Sequence, residues 1–224
     1  MKHDLLPVVV LISGTGTNLQ ALIDAAGSGA IPVRIAAVVG NRPEAPGLER
    51  ARQAGITTHV LDHTRYPDRQ SFDQALQARI DSYRPGLVVL AGFMRILTPG
   101  FVEHFSGRLI NIHPSLLPDF RGLKTHERAL RAGVEEHGAS VHFVNNELDG
   151  GPVIMQARVP VLAGDSPADL AARVQAREHE LYPSVVGLFG AGRLKLEQGR
   201  VLLDGRPLTA PLDLDTAMEV TKEN

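Results

Sequence analysis

Short runs of apolar residues alternate with amphipathic stretches along most of this chain. Five of these runs predict strands, over Val8–Ile12, Ile35–Val39, Thr57–Leu61, Leu87–Ala91 and Leu109–His113. The stretches between them predict helices over Asn18–Ala26, Gly47–Ala54 and Arg69–Tyr83. Near-continuous apolar strands separated by helices are typical of a parallel sheet covered on both faces. The pattern therefore predicts an α/β fold: a Rossmann-like, open and mostly parallel sheet with helices on both faces.

The last third of the chain has a different pattern. It predicts two more strands, Ala139–Val144 and Val153–Val159, and then a helix from about Pro167 to Tyr182 with Asp165 or Ser166 as its N-cap. A small C-terminal β-hairpin is expected from Leu194–Glu197 and Val201–Leu203, which flank Gln198 and Gly199. We expect the residues from Thr209 onward to form a loose tail.

Composition narrows the class of protein. The chain has 224 residues and 43% hydrophobic residues, enough for one large domain with a packed core. A net charge of −2 gives no reason to expect nucleic acid or an anionic membrane as a partner. The absence of cysteine excludes disulfides and thiolate chemistry, and the apolar run Leu5–Ile12 is too short to span a bilayer. We expect a cytoplasmic protein, a monomer or homodimer, with no bound metal.

Three polar segments directly follow predicted strands: Ser13–Asn18, Gly92–Leu97 and Asn111–Ser115. The carboxyl ends of parallel strands lie at one edge of a sheet, and ligands of open α/β sheets bind there, near the switch in strand order. We therefore expect the three segments to converge on one site.

The segment Ser13–Asn18 joins a strand to a helix and contains two glycines. Glycines allow close approach of the backbone, and hydroxyl and helix N–H groups suit a phosphate. Leu19 occupies the third glycine position of a dinucleotide fingerprint, and the Gly-Lys-Ser/Thr ending of a Walker loop is absent. The pattern favours a monophosphate site. The alternative is a tight turn in which Thr17 or Asn18 caps the helix.

Asn111 and His113 lie on the same face of a predicted strand, because side chains alternate along it. An imidazole with its ordinary pKa of about 6.5 carries protons at neutral pH, and an amide N–H stabilises an oxyanion. Metal ligation and a structural His–Asn pair are the alternatives; the position at a strand end favours acid–base catalysis.

Two further features are ambiguous by themselves. Asp149 precedes two glycines, and this pattern by itself favours a structural turn. If the carboxylate of Asp149 met His113, it would orient the imidazole and raise the basicity of that ring. Met94-Arg95-Ile96-Leu97 is an apolar loop with one cation, for which ordinary core packing with a surface arginine is favoured.

Five segments, taken in order, resemble the phosphoribosylglycinamide formyltransferase family of purine biosynthesis. They are Ser13–Leu22, Ala91–Leu97, Asn111–Pro118, His137–His142 and Asp149–Ile154. The resemblance implies transfer of the formyl group of 10-formyltetrahydrofolate to the amine of phosphoribosylglycinamide, through a tetrahedral intermediate and without a metal. It also implies one formyltransferase domain over about 1–208, with a nucleotide-binding half (1–108) and a catalytic, folate-binding half (109–208), before the tail 209–224.

The resemblance also implies roles for particular residues. Asn111, His113 and Asp149 would carry the chemistry. The ribonucleotide would be held by a set that combines one loop with a distant acid: Gly14, Thr15, Gly16, Thr17, Asn18 and Glu178. The folate would be held by residues from four segments: Arg69, Met94, Arg95, Ile96, Leu97, Asn111, Asn145 and Asp149.

The chain departs from the family at Arg121, Lys124 and Ala139, where proline, histidine and threonine are common. Phe-Arg-Gly at 120–122 is closer to methionyl-tRNA formyltransferase, which would need a larger, basic tRNA-binding domain. Formyltetrahydrofolate deformylase, with water as acceptor, is the main alternative; it normally carries an extra N-terminal domain, and this chain starts at its first strand. A nicotinamide oxidoreductase is disfavoured because it would want an acidic residue at the end of the second strand, where this chain has Gly40-Asn41-Arg42. A folate- or nucleotide-binding module without catalysis is disfavoured because Asn111, His113 and Asp149 are all present.

Overall fold

Eleven strands are present in the computed structural model, which describes residues 5–217. They are β1 (Leu6–Ile12), β2 (Val33–Gly40), β3 (Thr58–Val60), β4 (Leu87–Leu90), β5 (Leu109–His113), β6 (Glu136–Phe143), β7 (Val153–Pro160), β8 (Leu194–Glu197), β9 (Arg200–Leu203), β10 (Arg206–Pro207) and β11 (Leu212–Asp213). The predicted strands agree with these bounds to within a few residues, as is usual for strand ends.

Six α-helices connect the strands in the described part of the chain. They are α1 (Thr17–Gly27), α2 (Gly47–Gln53), α3 (Arg69–Asp81), α4 (Pro99–His104), α5 (Thr125–Ala132) and α6 (Pro167–Gly190). Within residues 5–217, none is long and apolar enough to cross a bilayer.

Eight of the strands form one sheet, in the order β11-β7-β6-β5-β4-β1-β2-β3. β1 lies between β2 and β4 and is parallel to both, so the strand order reverses there. β6 is antiparallel to both β5 and β7, and it alone runs against the other seven strands of this sheet. The expected open and mostly parallel sheet is confirmed. The carboxyl ends of β1, β4 and β5 lie side by side, at what we call the carboxyl edge.

Alternating residues of β1 pack into two separate hydrophobic layers. Val8 and Val10 face the layer formed with α1, α2, α5 and α6, whereas Val9 and Leu11 face the layer formed with α3 and α4. All four side chains are at most 1% exposed. Helices therefore cover both faces of the sheet, which explains why its central strands are apolar without alternation.

The helix predicted to end near Tyr182 continues to Gly190 and passes through Pro183. Val185 and Val186 are buried beyond the proline, and their burial outweighs the loss of one backbone hydrogen bond. Ser166 is the N-cap, and its hydroxyl accepts a hydrogen bond from the N–H of Asp169.

The C-terminal region is more ordered than predicted. The expected hairpin is there, with β10 added as a third antiparallel strand. The prediction of a loose tail from Thr209 is wrong for Leu212 and Asp213, which pair with β7, and for Leu214, which is fully buried. A two-residue strand carries too little periodic signal to be read from sequence. Positions 218–224 of the predicted tail lie outside the described residues.

Candidate active site

The segment after β1, residues 13–18, is here called the glycine loop, and it packs against the start of α2. Gly16 has φ of 71°, and a Cβ there would lie 2.7 Å from the Cα of Gly47. The N–H of Gly47 donates to the carbonyl of Gly14 at 3.0 Å, and Nε of Arg50 donates to the carbonyl of Thr15 at 2.9 Å. The loop thus needs glycine at position 16 for both its conformation and its packing.

Side chains of α6 meet the end of the glycine loop. Asn18 Nδ2 donates to Glu178 Oε2 at 2.9 Å, and Gln175 Nε2 donates to Thr17 Oγ1 at 3.2 Å. Glu178 is 7% exposed; burial raises the pKa of its carboxyl group, and the bond from Asn18 opposes that rise. The two residues expected at the ribonucleotide, Asn18 and Glu178, therefore contact each other directly.

The alternative interpretation of the glycine loop as a turn capped by a side chain is wrong. The N-cap of α1 is Gly16, and neither Thr17 nor Asn18 caps the helix with its side chain. Both side chains instead face α6. The N–H groups of the first turn of α1 point along the helix axis toward its start, where an anion is stabilised.

The apolar loop, residues 94–97, follows β4 beside the glycine loop. Met94 and Ile96 are 61% and 59% exposed, whereas Arg95 is half-buried with its guanidinium 4.6 Å from the centroid of the Phe72 ring. The expectation of core packing is therefore wrong for Met94 and Ile96, whereas Leu97 is partly buried and packs against the core layer of α3 and α4. The expected surface arginine is wrong, because the guanidinium packs on Phe72. An exposed apolar pair at the carboxyl edge suits an aromatic ligand.

The antiparallel pairing of β5 and β6 places His142 opposite Asn111. Asn111 Nδ2 lies 3.3 Å from His142 Nε2, and His142 Nδ1 lies 2.9 Å from the carbonyl of Phe143. Burial lowers the pKa of His142, which favours the neutral ring. Since a carbonyl only accepts, Nδ1 carries the proton and Nε2 accepts from the Asn111 amide. His142 thereby orients the carboxamide, a role that sequence reasoning missed.

His113 and Asp149 form the centre of the site. His113 Nδ1 lies 3.4 Å from Asp149 Oδ2, and the two side chains are 8% and 10% exposed. Asp149 Oδ1 lies 3.9 Å from His142 Nε2. Asp149 has φ of 48°, and Gly151 is required two residues later because a Cβ there would clash with the carbonyl oxygen of Phe143. The turn expected at Asp149 thus brings its carboxylate to the imidazole.

Backbone atoms of the turn at 120–124 hold this pair from the other side. The carbonyl of Phe120 lies 3.1 Å from His113 Nε2, and the N–H of Gly122 donates to Asp149 Oδ2 at 2.9 Å. Arg128 donates to the carbonyl of Arg121 at 2.6 Å. The two ring nitrogens of His113 therefore face a carboxylate on one side and a backbone carbonyl on the other.

Two of the three departures from the family pattern lie on this turn, and the third lies in β6. Arg121 Nη1 is 3.6 Å from the carboxylate of Glu147, and Lys124 Nζ is 3.5 Å from that of Glu127, both with exposed side chains. Ala139 is fully buried in β6. None of the three touches His113, Asn111 or Asp149 through a side-chain hydrogen bond or ion pair among the described residues.

A buried polar network anchors the segment between β5 and this turn. Ser140 Oγ donates to the carbonyl of Ser115 at 2.7 Å and accepts from the N–H of Leu117 at 2.9 Å. Gln156 Nε2 donates to the carbonyl of Leu117 at 2.9 Å. Ser115 and Ser140 are fully buried, so each bond avoids the cost of an unpaired polar group.

A second pair of histidines lies behind the turn. The rings of His126 and His137 are 5.2 Å apart and edge-to-face, and His137 also packs edge-on against Phe120 at 5.8 Å. Burial, reinforced by the proximity of His126, lowers the pKa of His137 to about 4. His137 is therefore neutral at pH 7 and supports Phe120 by packing.

Two of the predicted folate residues lie at the surface. Arg69 is exposed in the first turn of α3, the helix that carries Phe72. Asn145 is exposed, and its Oδ1 accepts from the N–H of Glu147, which shapes the turn that leads to Asp149. Within residues 5–217, no group of three or more His, Cys, Asp or Glu side chains is arranged to hold a metal ion.

This arrangement supplies the parts needed for acyl transfer. A histidine held by a carboxylate can give or take a proton, and an oriented amide can donate to a developing oxyanion. A phosphate can bind at the glycine loop, and an aromatic ligand can lie on the apolar loop.

Comparison with known proteins agrees with this chemistry. The chain matches the formyl transferase family over residues 6–186. Phosphoribosylglycinamide formyltransferase of Escherichia coli (strain K12) is 58% identical over 201 residues, which cover 90% of this chain and 95% of that protein. The enzyme of the same name from Coxiella burnetii has a solved structure with a TM-score of 0.90 and 54% identity, covering 93% of this chain and 98% of that one. The chain therefore belongs to the formyl transferase family, and within it to the phosphoribosylglycinamide formyltransferases.

Proposed function

We propose that this enzyme transfers the formyl group of 10-formyltetrahydrofolate to the amine of phosphoribosylglycinamide, a step of purine (IMP) biosynthesis. One observation carries the proposal: His113, Asp149 and Asn111 meet at the carboxyl edge in a chain that is 58% identical to an enzyme named for this reaction. Asp149 comes from a separate segment, contacts His113 at 3.4 Å, and lies 3.9 Å from His142, the partner of Asn111.

The reaction uses these groups in a simple order. The neutral amine attacks the formyl carbon, and the carbonyl oxygen becomes an oxyanion that Asn111 and His113 stabilise. His113 gives the proton on Nε2 to N10 of the folate and takes one in return from the new ammonium, while Asp149 holds the ring at Nδ1. The oxyanion then returns to a carbonyl as the bond from carbon to N10 breaks. This step releases tetrahydrofolate and the ribonucleotide with its amine formylated. No covalent enzyme intermediate is needed.

The ribonucleotide would bind at the glycine loop. Residues Gly14 to Asn18 provide backbone N–H groups at the start of α1, where a phosphate is favoured. Glu178 would accept hydrogen bonds from the ribose hydroxyls, and its contact with Asn18 supports this because it brings both residues to one place.

The folate would lie along the apolar loop. Four exposed apolar side chains, two on the apolar loop, one on the turn at 120–124 and one next to Asp149, suit a pterin and its aromatic linker. They are Met94, Ile96, Leu123 and Leu148. Arg69 would meet a carboxylate of the folate tail, and Asn145 would shape the loop over the pterin. The two-part division of the domain, the cytoplasmic location and the oligomeric state stay predictions.

Absorbance of released tetrahydrofolate tests the proposal. We expect release from 10-formyltetrahydrofolate only when phosphoribosylglycinamide is present, together with one formylated product per folate. Release at the same rate without the ribonucleotide would identify a deformylase, with water as acceptor. No release in either mixture would refute transfer and leave a folate- or nucleotide-binding module.

A further inference from the structure

The glycine loop and the apolar loop are joined through one buried residue. Ser13, the first residue of the glycine loop, donates its N–H to the carbonyl of Gly92 at 3.1 Å. Its hydroxyl oxygen accepts from the N–H of Met94, the first residue of the apolar loop, at 2.8 Å. Ser13 is 6% exposed, so little water competes for either bond.

The other end of the apolar loop is held by a residue outside both loops. Asp73 of α3 is 2% exposed, and its Oδ2 accepts from the N–H of Thr98 at 2.6 Å. A side-chain oxygen therefore binds a backbone N–H at each end of the apolar loop. Ser13 belongs to the glycine loop, whereas Asp73 does not.

We propose that Ser13 is a positioning residue that couples the two substrate sites, so that a ribonucleotide at the glycine loop strengthens folate binding at the apolar loop. This inference rests on the proposed function, because it takes the two loops as the sites of the two substrates. A phosphate that immobilises residues 14–18 also immobilises the adjoining Ser13. The Ser13 hydroxyl then holds Met94, and less ordering remains for the folate to impose.

Coupling of this kind is reciprocal. If the ribonucleotide strengthens folate binding by some factor, the folate strengthens ribonucleotide binding by the same factor. The coupling passes through one neutral hydrogen bond, and the net value of such a bond limits the factor to about twofold to tenfold. We expect a factor of about five in the wild-type enzyme.

Calorimetry with the wild type and Ser13→Ala tests the proposal. The dissociation constant of tetrahydrofolate, which has no formyl group to transfer, is measured with and without saturating phosphoribosylglycinamide. The coupling ratio is the dissociation constant without the ribonucleotide divided by the constant with it. We expect this ratio to be about five in the wild type and below about two in Ser13→Ala. Ser13→Cys keeps a weaker acceptor in the same place and should give an intermediate ratio.

Asp73→Asn is the matched control. The amide oxygen still accepts from Thr98, but without a charge the bond is weaker, so tetrahydrofolate should bind less tightly while the ratio stays at the wild-type value. A ratio of one in the wild type would overturn the proposal. So would an unchanged ratio in Ser13→Ala, or an equal loss of coupling in Asp73→Asn.

The two proposals fail in different ways. Wild-type protein that binds both ligands with a ratio near five but never forms formylated product would refute the reaction and leave the coupling intact. Normal turnover with a ratio of one would support the reaction and refute the coupling.

Discussion

The two ends of the carboxyl edge are built in different ways. The glycine loop is one continuous segment, and it presents backbone N–H groups in a conformation that depends on Gly16. The catalytic end collects side chains from three segments, with Asn111 opposite His142 across two strands and Asp149 arriving from a later loop. The glycine loop is therefore formed by neighbouring residues of the sequence, whereas the catalytic end is formed by residues that come together only when the protein folds.

This difference determines which substitutions matter at each end. A site made of backbone groups tolerates changes of side chain but not of backbone conformation. A site made of side chains is sensitive to each side chain and to the partner that orients it. Substitutions at the catalytic end should therefore reduce kcat most, and substitutions in the glycine loop should act mainly on ribonucleotide binding.

The largest effect is expected at the imidazole. His113→Ala removes the proton carrier, and kcat should fall by about a thousandfold, within the usual range for general acid–base groups. The thermal midpoint should change by only a few degrees, because the ring contributes mainly polar contacts. Steady-state kinetics and a melting curve measure both. A kcat within tenfold of wild type would remove His113 from the mechanism.

Asp149→Asn should have the next largest effect. The amide can still accept from the N–H of Gly122, so the loop should stay in place, but the charge beside His113 is lost. We expect kcat to fall by about a hundredfold. The double variant with His113→Ala should be scarcely slower than His113→Ala alone, because the two residues act as a unit. Additive losses would show that they act independently.

The glycine loop should respond through binding. Gly16→Ala places a Cβ 2.7 Å from the Cα of Gly47 at a φ of 71°, so the loop must shift. The KM for the ribonucleotide should rise by about tenfold or more, with kcat within about threefold of wild type. Thr17→Val, which removes only a hydroxyl, is the control and should change KM by less than about threefold. A larger effect from Thr17→Val would contradict a backbone-based site.

The smallest effect concerns stability and pH. Burial lowers the pKa of His137 from its usual 6.5 to about 4, so between these values the unfolded chain binds a proton that the folded chain does not. The contribution of His137 to stability should therefore fall as the pH drops from about 6.5 and be lost by about pH 4. Thermal midpoints between pH 7 and pH 4 measure the slope. His137→Phe should flatten it, and an unchanged slope would assign the acid sensitivity to other groups.

Much of the architecture could be predicted from the sequence because its signals are local. Apolar runs in β1, β4 and β5 and the glycines after β1 required no knowledge of distant residues. The extension of α6 through Pro183 and the pairing of β11 could not be predicted. In α6, packing against distant elements outweighs the helix-breaking tendency of Pro183. In β11, pairing with β7 orders two residues that carry no periodic pattern of their own.

The same division applies to the candidate site. Asn111, His113 and the glycine loop stand out in the sequence, because polar residues after a buried strand are conspicuous. His142 does not, because its role depends on the register between β5 and β6. The turn at 120–124 is equally hidden, since it holds His113 and Asp149 through a carbonyl and an N–H that almost every residue possesses.

Local patterns in the sequence predicted nine of the eleven strands and four of the six α-helices of the described residues, the loop suited to a phosphate, and two of the three polar residues at the reacting centre. Contacts between distant segments account for the other features: which histidine orients Asn111, how Asp149 reaches His113, and why Ser13 touches both loops. The physical reason is that hydrogen bonds and ion pairs act over a few ångströms of space. Separation along the chain says little about such distances once strands cross over and pair.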